Sequence, residues 1–216
     1  KRSGAMVVAL VNDTTSPLAE QAHYTLPLHV GAEKAVAATK SYLATLSAIL
    51  QLVSVWSGNQ PLQQAVQQLP QSLEQAIELP QQLNAAALEK VAHLVVLGRG
   101  LGYAISREIA LKLKEVCGIH AEAFSSAEFL HGPVTLVKNQ FAIVDVTVED
   151  ESLAAHRNQI EDVRSRGAAI VSATQVTAGT AGRPRKRVDG THLTSPAVVR
   201  ATTTSLLQKQ GFWRQI

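Results

Sequence analysis

The sequence predicts an α/β protein, a three-layer αβα sandwich built on a parallel sheet. Short apolar runs alternate along the chain with longer segments that carry apolar residues at helical spacing. The runs are continuous rather than alternating, which is typical of parallel strands buried on both faces. Glycine-rich or polar turns separate the runs from the helical segments.

The first half of the chain contains two predicted strands and one long predicted helix. Residues 6–11 (MVVALV) and residues 24–28 (YTLPL) are the strands. Residues 32–57 predict a helix because many good helix formers occur there, with apolar residues at helical spacing. Gly58 follows it, and glycine is the residue that most often ends a helix.

The second half repeats this alternation. Predicted strands at residues 94–97, 141–148 and 168–171 alternate with predicted helices at residues 102–117 and 152–166. Strands that alternate with helices in this way form parallel sheets with helices on both faces.

The composition between and after the two halves suggests the domain boundaries. A glutamine-rich stretch with three prolines keeps helical spacing between the prolines, so we interpret it as a helical linker. The predicted parts are the end of a first domain at 1–58, the linker at 59–85, a second domain at 86–172 and an atypical tail at 173–216. Because the chain opens on Lys1 and not on methionine, we expect it to start inside a longer protein.

Composition excludes several classes of protein. The chain of 216 residues is 46% hydrophobic and 17% charged, so it can bury a core. Aromatic residues make up 4%, too few for a base-stacking nucleic-acid module, and no stretch reaches the ~18 apolar residues that span a membrane. Cys117 is the single cysteine, which excludes an intrachain disulfide and favours a cytoplasmic location. Within the apolar run of a helix, its thiol is expected to be buried.

The stretch GRGLGYAISREIALKLKEVCGIHAEAFSSAEFLHGP, residues 98–133, has the order of a ligand site: glycine turn, helix and polar loop. The glycine turn does not match a dinucleotide motif, because Tyr103 stands where a third glycine is needed, and no P-loop is present. We therefore expect no nucleotide or nicotinamide cofactor. The spacing of His120 and His131 matches no metal-site motif, so we expect no metal.

Within this stretch, Lys112 lies near the apolar stripe of the predicted helix, with Glu108 one turn before it and Glu115 one turn after it. Two interpretations stay open. The lysine could extend its charged end to solvent and form surface ion pairs. Alternatively, a carboxylate is placed for proton transfer beside a cation. Four residues define the stripe: Ile105, Ile109, Leu113 and Val116.

His131 precedes a Gly-Pro turn at the end of the polar loop. Histidine transfers protons near neutral pH, although a loop histidine also often bonds a backbone group. The residues alone leave both roles open.

Four short motifs resemble a known family: ALKLKE (110–115), IHAEAF (119–124), SAE (126–128) and HGP (131–133). They are similar to the second sugar isomerase (SIS) domain of double-SIS proteins, which include the isomerase half of glucosamine-6-phosphate synthases and the SIS-type glucosamine-6-phosphate deaminases. GAEKAVAATKSY (31–42) resembles the helix start that closes the first SIS domain. The resemblance implies a flavodoxin-like or Rossmann-like fold, with one partial and one nearly complete SIS domain.

The resemblance also implies a function. The family interconverts fructose 6-phosphate and glucosamine 6-phosphate by moving a proton between C1 and C2, and it forms dimers. The family's phosphate-binding loop would lie upstream of Lys1, and its lysine-bearing tail is not recognisable here. We therefore expect an incomplete site that is inactive alone. Synthesis and deamination stay open, as does a non-catalytic sugar-phosphate-binding module or an inactive fragment.

The resemblance assigns roles to individual residues. Glu115 matches the glutamate that moves the proton, Lys112 the lysine beside it, and His131 the ring-opening histidine that reaches the site of a neighbouring subunit. The implied substrate-binding residues are Val36 and Ala38, which match the sugar pocket, and Ser125 and Ser126 in the polar loop.

Overall fold

The computed structural model describes residues 3–78, 90–138 and 140–174 of the chain. The chain divides into two compact units, Lys1–Gln75 and Ala76–Ile216, and each is described by itself. The predicted tail, apart from its first two residues, lies outside the described residues. The domain boundaries given above stay predictions.

The first unit begins with a pair of parallel strands. Strand β1 (Val8–Val11) pairs with β2 (Tyr24–Pro27), and the short helix α1 (Pro17–Gln21) connects them. Ser16 begins α1, where its hydroxyl accepts a bond from the backbone N–H of Ala19 at 3.4 Å. The two strands predicted in this half are confirmed.

Two long helices follow, α2 (Thr39–Trp56) and α3 (Gln60–Glu78). The predicted helix start at residue 32 is wrong. The carboxylate of Glu33 accepts the backbone N–H of Ser41 at 2.8 Å, so the chain before Thr39 folds back to cap the helix instead of extending it. Gly58 follows the last turn of α2 with a φ of +63°, as predicted. The helical prediction for the glutamine-rich stretch is confirmed as far as Glu78.

The second unit contains a parallel sheet of four strands. They are β3 (His93–Gly98), β4 (His120–Ser125), β5 (Ala142–Thr147) and β6 (Ala169–Thr174), in the order β4-β3-β5-β6. Strand β4 was not predicted, because its sequence HAEAFS is short and half polar. It lies at an edge of the sheet, where a strand pairs with a neighbour on one side only and can be more polar than a central strand.

Helices cover both faces of this sheet. Helix α4 (Leu101–Cys117) packs on one face, and its buried residues Ile109 and Leu113 contact Leu94, Val96 and Val144. The other face is covered by the short helix α5 (Ser126–Phe129) and by α6 (Leu153–Ser165), which contribute Phe129, Ile160 and Val163 to a second core. The predicted α/β class with a parallel sheet between helices is confirmed.

The thiol of Cys117 is exposed, so the prediction of a buried thiol is wrong. It is the last residue of α4 and lies beyond the stripe that packs on the sheet. Within the described part of the chain, no helix combines the length and the apolar character that crossing a membrane requires.

The glycine turn lets α4 pack closely on the sheet. A Cβ atom on Gly102 would lie 2.8 Å from the carbonyl oxygen of Val146, and one on Gly98 would lie 2.4 Å from the carbonyl oxygen of Gly102. Any side chain would push the helix away from the strands. The turn that resembled part of a nucleotide motif therefore has a packing role.

The N-terminus of α4 is capped by a carboxylate from the same unit. Asp150 accepts the backbone N–H of Leu101 at 3.0 Å and both the N–H and the hydroxyl of Ser152, at 2.8 and 2.6 Å. These bonds satisfy a donor that the first turn of a helix leaves unpaired, and they place a negative charge at the positive end of the helix.

We expect Asp150→Asn to weaken the fold at neutral pH but not at low pH. The hydroxyl of Ser152, followed by the N–H groups of Leu101 and Ser152, lowers the pKa of Asp150 below its ordinary value of 3.8. A carboxyl whose folded pKa is depressed stabilises the protein above its unfolded pKa, and this stabilisation disappears as the pH falls through the folded value. Urea unfolding of both proteins between pH 7 and pH 2.5 should give midpoints that converge at the acidic end. A constant difference would contradict this role for the carboxylate.

Candidate functional site

The carboxyl ends of the strands of the second unit meet at one edge of the sheet. Gly98 at the end of β3 lies directly opposite Ser125 at the end of β4, and β5 ends beside them at Thr147. Ligands of open α/β sheets bind at this edge. The polar segment, defined here as residues 125–131, begins there.

The polar segment is anchored by two buried residues and exposes two others. Ser126 and Phe129 are 1% and 0% exposed, and Phe129 packs in the core beneath the sheet edge. Glu128 and His131 are exposed, and the backbone N–H of His131 bonds the carbonyl oxygen of Glu128 at 3.0 Å. The segment therefore presents a carboxylate and an imidazole to solvent at this edge.

Below the polar segment lies a buried hydrogen-bond network that the sequence reading missed. It joins Ser126, His156, Asp145, Thr147 and Gln159. Two signals could have found it. Asp145 interrupts the apolar run of β5, and His156 stands four and seven residues before Ile160 and Val163, on the buried face of α6.

The other candidate site is on α4, where Lys112 is held between two carboxylates. Its Nζ lies 2.7 Å from Oε2 of Glu115, to which it donates a hydrogen bond, and 3.4 Å from Oε1 of Glu108. The Lys112 side chain is 9% exposed, against 19% for Glu108 and 26% for Glu115. The structure therefore brings together the three residues that helical spacing had predicted to be neighbours.

The carboxylates keep Lys112 charged despite its burial. Burial by itself would lower the pKa of Lys112, but the hydrogen bond from Lys112 to Glu115 and the charges of Glu108 and Glu115 outweigh it. The pKa is raised above its ordinary value of 10.5. The stabilisation is therefore complete below pH ~10.5 and is lost as the pH rises through the folded value. Near neutral pH, Glu115 faces a fixed cation on one side and solvent on the other.

Lys112→Met is expected to lower the free energy of unfolding by about 1.5–3 kcal/mol, the range for hydrogen bonds to charged groups. The variant leaves two partly buried carboxylates close together with no cation between them. Chemical denaturation at pH 7 measures the effect. Lys114→Met is the control, because it removes the same charge from an exposed position of the same helix. Equal losses in the two variants would show that the ion pairs contribute nothing specific.

Glu115 and the start of the polar segment lie toward opposite ends of helix α4. Helix α4 begins at the carboxyl edge of the sheet and runs back toward the amino edge, where β4 starts. Glu115 is fourteen residues beyond Leu101, which is about 21 Å along a helix with a rise of 1.5 Å per residue. His131 belongs to the segment that begins at the carboxyl edge. No hydrogen bond or ion pair joins Glu115 to His131 within the described part of the chain.

The remaining predicted residues occupy separate places. Val36 and Ala38 belong to the first unit, just before α2, and both are exposed. Ser125 is half-buried at the end of β4, while the hydroxyl of Ser126 is bonded inside the protein. Their assignment to substrate binding stays a prediction.

Comparisons with known proteins agree with this architecture. The family model of the SIS domain matches residues 1–55 and 87–206. The glutamine–fructose-6-phosphate aminotransferase (isomerizing) of Haemophilus ducreyi is 34% identical over 180 residues, which are 77% of this chain and 29% of the relative. The enzyme of the same name from Aquifex aeolicus is 32% identical over 175 residues, 80% of this chain and 30% of the relative. The chain thus spans less than a third of these relatives.

Solved structures give the same result. A Silicibacter pomeroyi protein of the phosphosugar isomerase type superposes with a TM-score of 0.77 at 33% identity, over 97% of this chain and 65% of the other. The C-terminal domain of glucosamine-fructose-6-phosphate aminotransferase from Francisella tularensis superposes with a TM-score of 0.73 at 26% identity, over 95% and 62%. Glucosamine-6-phosphate deaminase from Thermotoga maritima shares the fold, with a TM-score of 0.62 at 23% identity. With the parallel sheet, the ALKLKE helix and the family match in agreement, the chain belongs to the SIS domain family.

Proposed function

We propose that this chain supplies the isomerase chemistry of an amino-sugar phosphate enzyme. The reaction interconverts fructose 6-phosphate and glucosamine 6-phosphate by moving a proton between C1 and C2 of the sugar. Deamination and amination use the same proton transfer in opposite directions, with ammonia released from or added at C2. The proposed location is the cytoplasm.

The observation that carries the proposal is the geometry around Glu115. A base that moves a proton between neighbouring carbons needs a carboxylate that is rigidly held, partly desolvated and still open on one side. Glu115 lies on a helix packed against the sheet, is bonded to Lys112 at 2.7 Å and keeps 26% of its side chain exposed. The ammonium group beside it can stabilise the negative charge that develops on the sugar oxygen as the proton leaves.

The proposed chemistry is a sequence of proton transfers. Opening of the sugar ring needs an acid and a base near neutral pH, which suits the exposed imidazole of His131. For amination, ammonia first converts the C2 carbonyl of the open ketose to an imine with loss of water. Glu115 then takes a proton from C1, the electron pair forms an enolamine between C1 and C2, and Glu115 returns the proton to C2. The O1 proton passes to the nitrogen, which leaves an aldehyde at C1 and an amine at C2. With fructose 6-phosphate alone, the same transfer gives the aldose isomer. Because α4 carries Glu115 away from the edge at which the segment of His131 begins, we propose that the site is shared between two copies of a homodimer.

The same separation keeps an alternative open. A chain in which the base and the ring-opening histidine never meet would be a non-catalytic sugar-phosphate-binding module or an inactive fragment. Such a chain could bind the sugar phosphate but would not exchange its carbon-bound protons.

The test combines binding with proton exchange. Calorimetry with fructose 6-phosphate and with glucosamine 6-phosphate measures whether the chain binds either sugar. Proton NMR in D₂O then measures whether the chain exchanges the C1 proton of fructose 6-phosphate for deuterium and forms the aldose isomer.

Each outcome selects one function. Binding with exchange supports the enzyme. Binding without exchange supports the binding module. The absence of both binding and exchange supports the inactive fragment. Fructose without a phosphate is the matched control ligand.

A further inference from the structure

We propose that His156 is a positioning residue that fixes the polar segment 125–131 at the carboxyl edge of the sheet through its hydrogen bond to Ser126. The proposal rests on the proposed function, because that segment carries His131. It concerns the network below the segment, in which Ser126, His156 and Asp145 are shielded from solvent.

The network is almost completely buried. Ser126, His156 and Asp145 are 1%, 2% and 3% exposed. His156 Nδ1 lies 2.8 Å from Oγ of Ser126, and His156 Nε2 lies 2.7 Å from Oδ1 of Asp145. Polar groups at this depth destabilise a protein unless each has a partner, so this arrangement is specific and not incidental. Serine, histidine and aspartate are hydrogen-bonded here in the same order as in a hydrolase triad. Burial nevertheless excludes Ser126 as a surface nucleophile.

Each side of the His156 ring has its own partner. The hydroxyl of Ser126 is within hydrogen-bond distance of His156 Nδ1 at 2.8 Å and of Gln159 Oε1 at 2.6 Å. Asp145 lies 2.7 Å from Nε2 and is also bonded by the hydroxyl of Thr147 at 3.1 Å. One rigid ring therefore connects strand β5 to the start of α5.

The polar segment needs such a connection. Helix α5 has four residues, far fewer than a helix needs to be stable by itself. Phe129 anchors it through apolar contacts, which fix depth but not orientation. The directional bond at Ser126, three residues earlier on the same buried side, fixes the orientation of the segment. Glu128 and His131 then face outward from a defined backbone.

Two conservative variants separate the two bonds of His156. The side-chain amide of asparagine can occupy the position of Nδ1, so His156→Asn keeps a hydrogen-bond partner for Ser126 and loses the bond to Asp145. The side-chain nitrogen of glutamine reaches the position of Nε2, so His156→Gln keeps a donor for Asp145 and loses the bond to Ser126. Amide hydrogen exchange by NMR, on the chain without any sugar, reports the local stability of the amides of residues 127–131 relative to those of β3.

We expect His156→Gln to lower the protection of residues 127–131 by at least about tenfold relative to β3, and His156→Asn to change that ratio by less than about threefold. Ser126→Ala, which removes only the hydroxyl, should match His156→Gln and provides the same test if the histidine variants do not fold. Val163→Ala is the control. It weakens the same core and should lower protection in both regions together.

Equal ratios in His156→Asn and His156→Gln would overturn the proposal, and so would an unchanged ratio in Ser126→Ala. Because no sugar phosphate enters the measurement, a negative result here leaves the proposed function untouched. Failure of the sugar assays, in turn, does not affect the result of the amide hydrogen-exchange measurement.

Discussion

In a full-length version with a complete site, Glu115→Gln is expected to reduce the exchange of the C1 proton of fructose 6-phosphate by about 10²–10⁴-fold, the range that a general base contributes to proton transfer. The amide keeps the size of the side chain and its oxygen still accepts a bond from Lys112, but it has no basic lone pair for a carbon-bound proton. Binding of the sugar phosphate should change little, since the substitution removes the base and not the pocket. The exchange rate by NMR and the dissociation constant by calorimetry, measured on the same protein, separate these effects.

Glu108→Gln is the matched control for this prediction. Glu108 lies on the other side of Lys112 at 3.4 Å, with a side chain of similar exposure, 19% against 26%. It carries the same charge on the same helix, so the two variants perturb Lys112 in the same direction. If the two variants lost exchange equally, the effect would come from the cation and not from a base, and the assignment of Glu115 would be wrong.

The part of the site on α4 was predictable because helical spacing is regular. Once residues 102–117 are a helix, positions three and four residues apart must be neighbours, and both ion pairs of Lys112 follow from that geometry. The stripe through Ile109 and Leu113 is determined in the same way, because the buried side of an amphipathic helix can be read from its period.

The buried network was not predictable in the same way. Asp145 and His156 are eleven residues apart and meet only because α6 packs back on β5, while Ser126 comes from a third element. Each residue alone was a small irregularity in an apolar pattern. The missed strand β4 has a similar cause, since an edge strand needs less apolar sequence than a central one. Residues 32–38 favour a helix by local propensity, which does not include the side-chain cap from Glu33 to the backbone of Ser41.

In the same full-length version, mixing Glu115→Gln with His131→Ala is expected to restore about a quarter of the wild-type exchange activity, although each variant alone is nearly inactive. If a symmetric dimer has two shared sites, half of the randomly mixed dimers contain one copy of each variant. In those dimers one site receives both substitutions and the other receives none. The physical basis is the rise of about 21 Å along α4 from Leu101 to Glu115, which takes Glu115 away from the edge at which the segment of His131 begins.

The experiment needs exchange of subunits, which brief treatment with a low urea concentration followed by dialysis can provide. Each variant treated in the same way without its partner is the control. Recovery to about a quarter would support a site built from two copies. A mixture no more active than the average of the two variants would mean that Glu115 and His131 act from the same copy or at separate steps. The two-copy arrangement would then be wrong, and the path of α4 between the two edges would need another explanation.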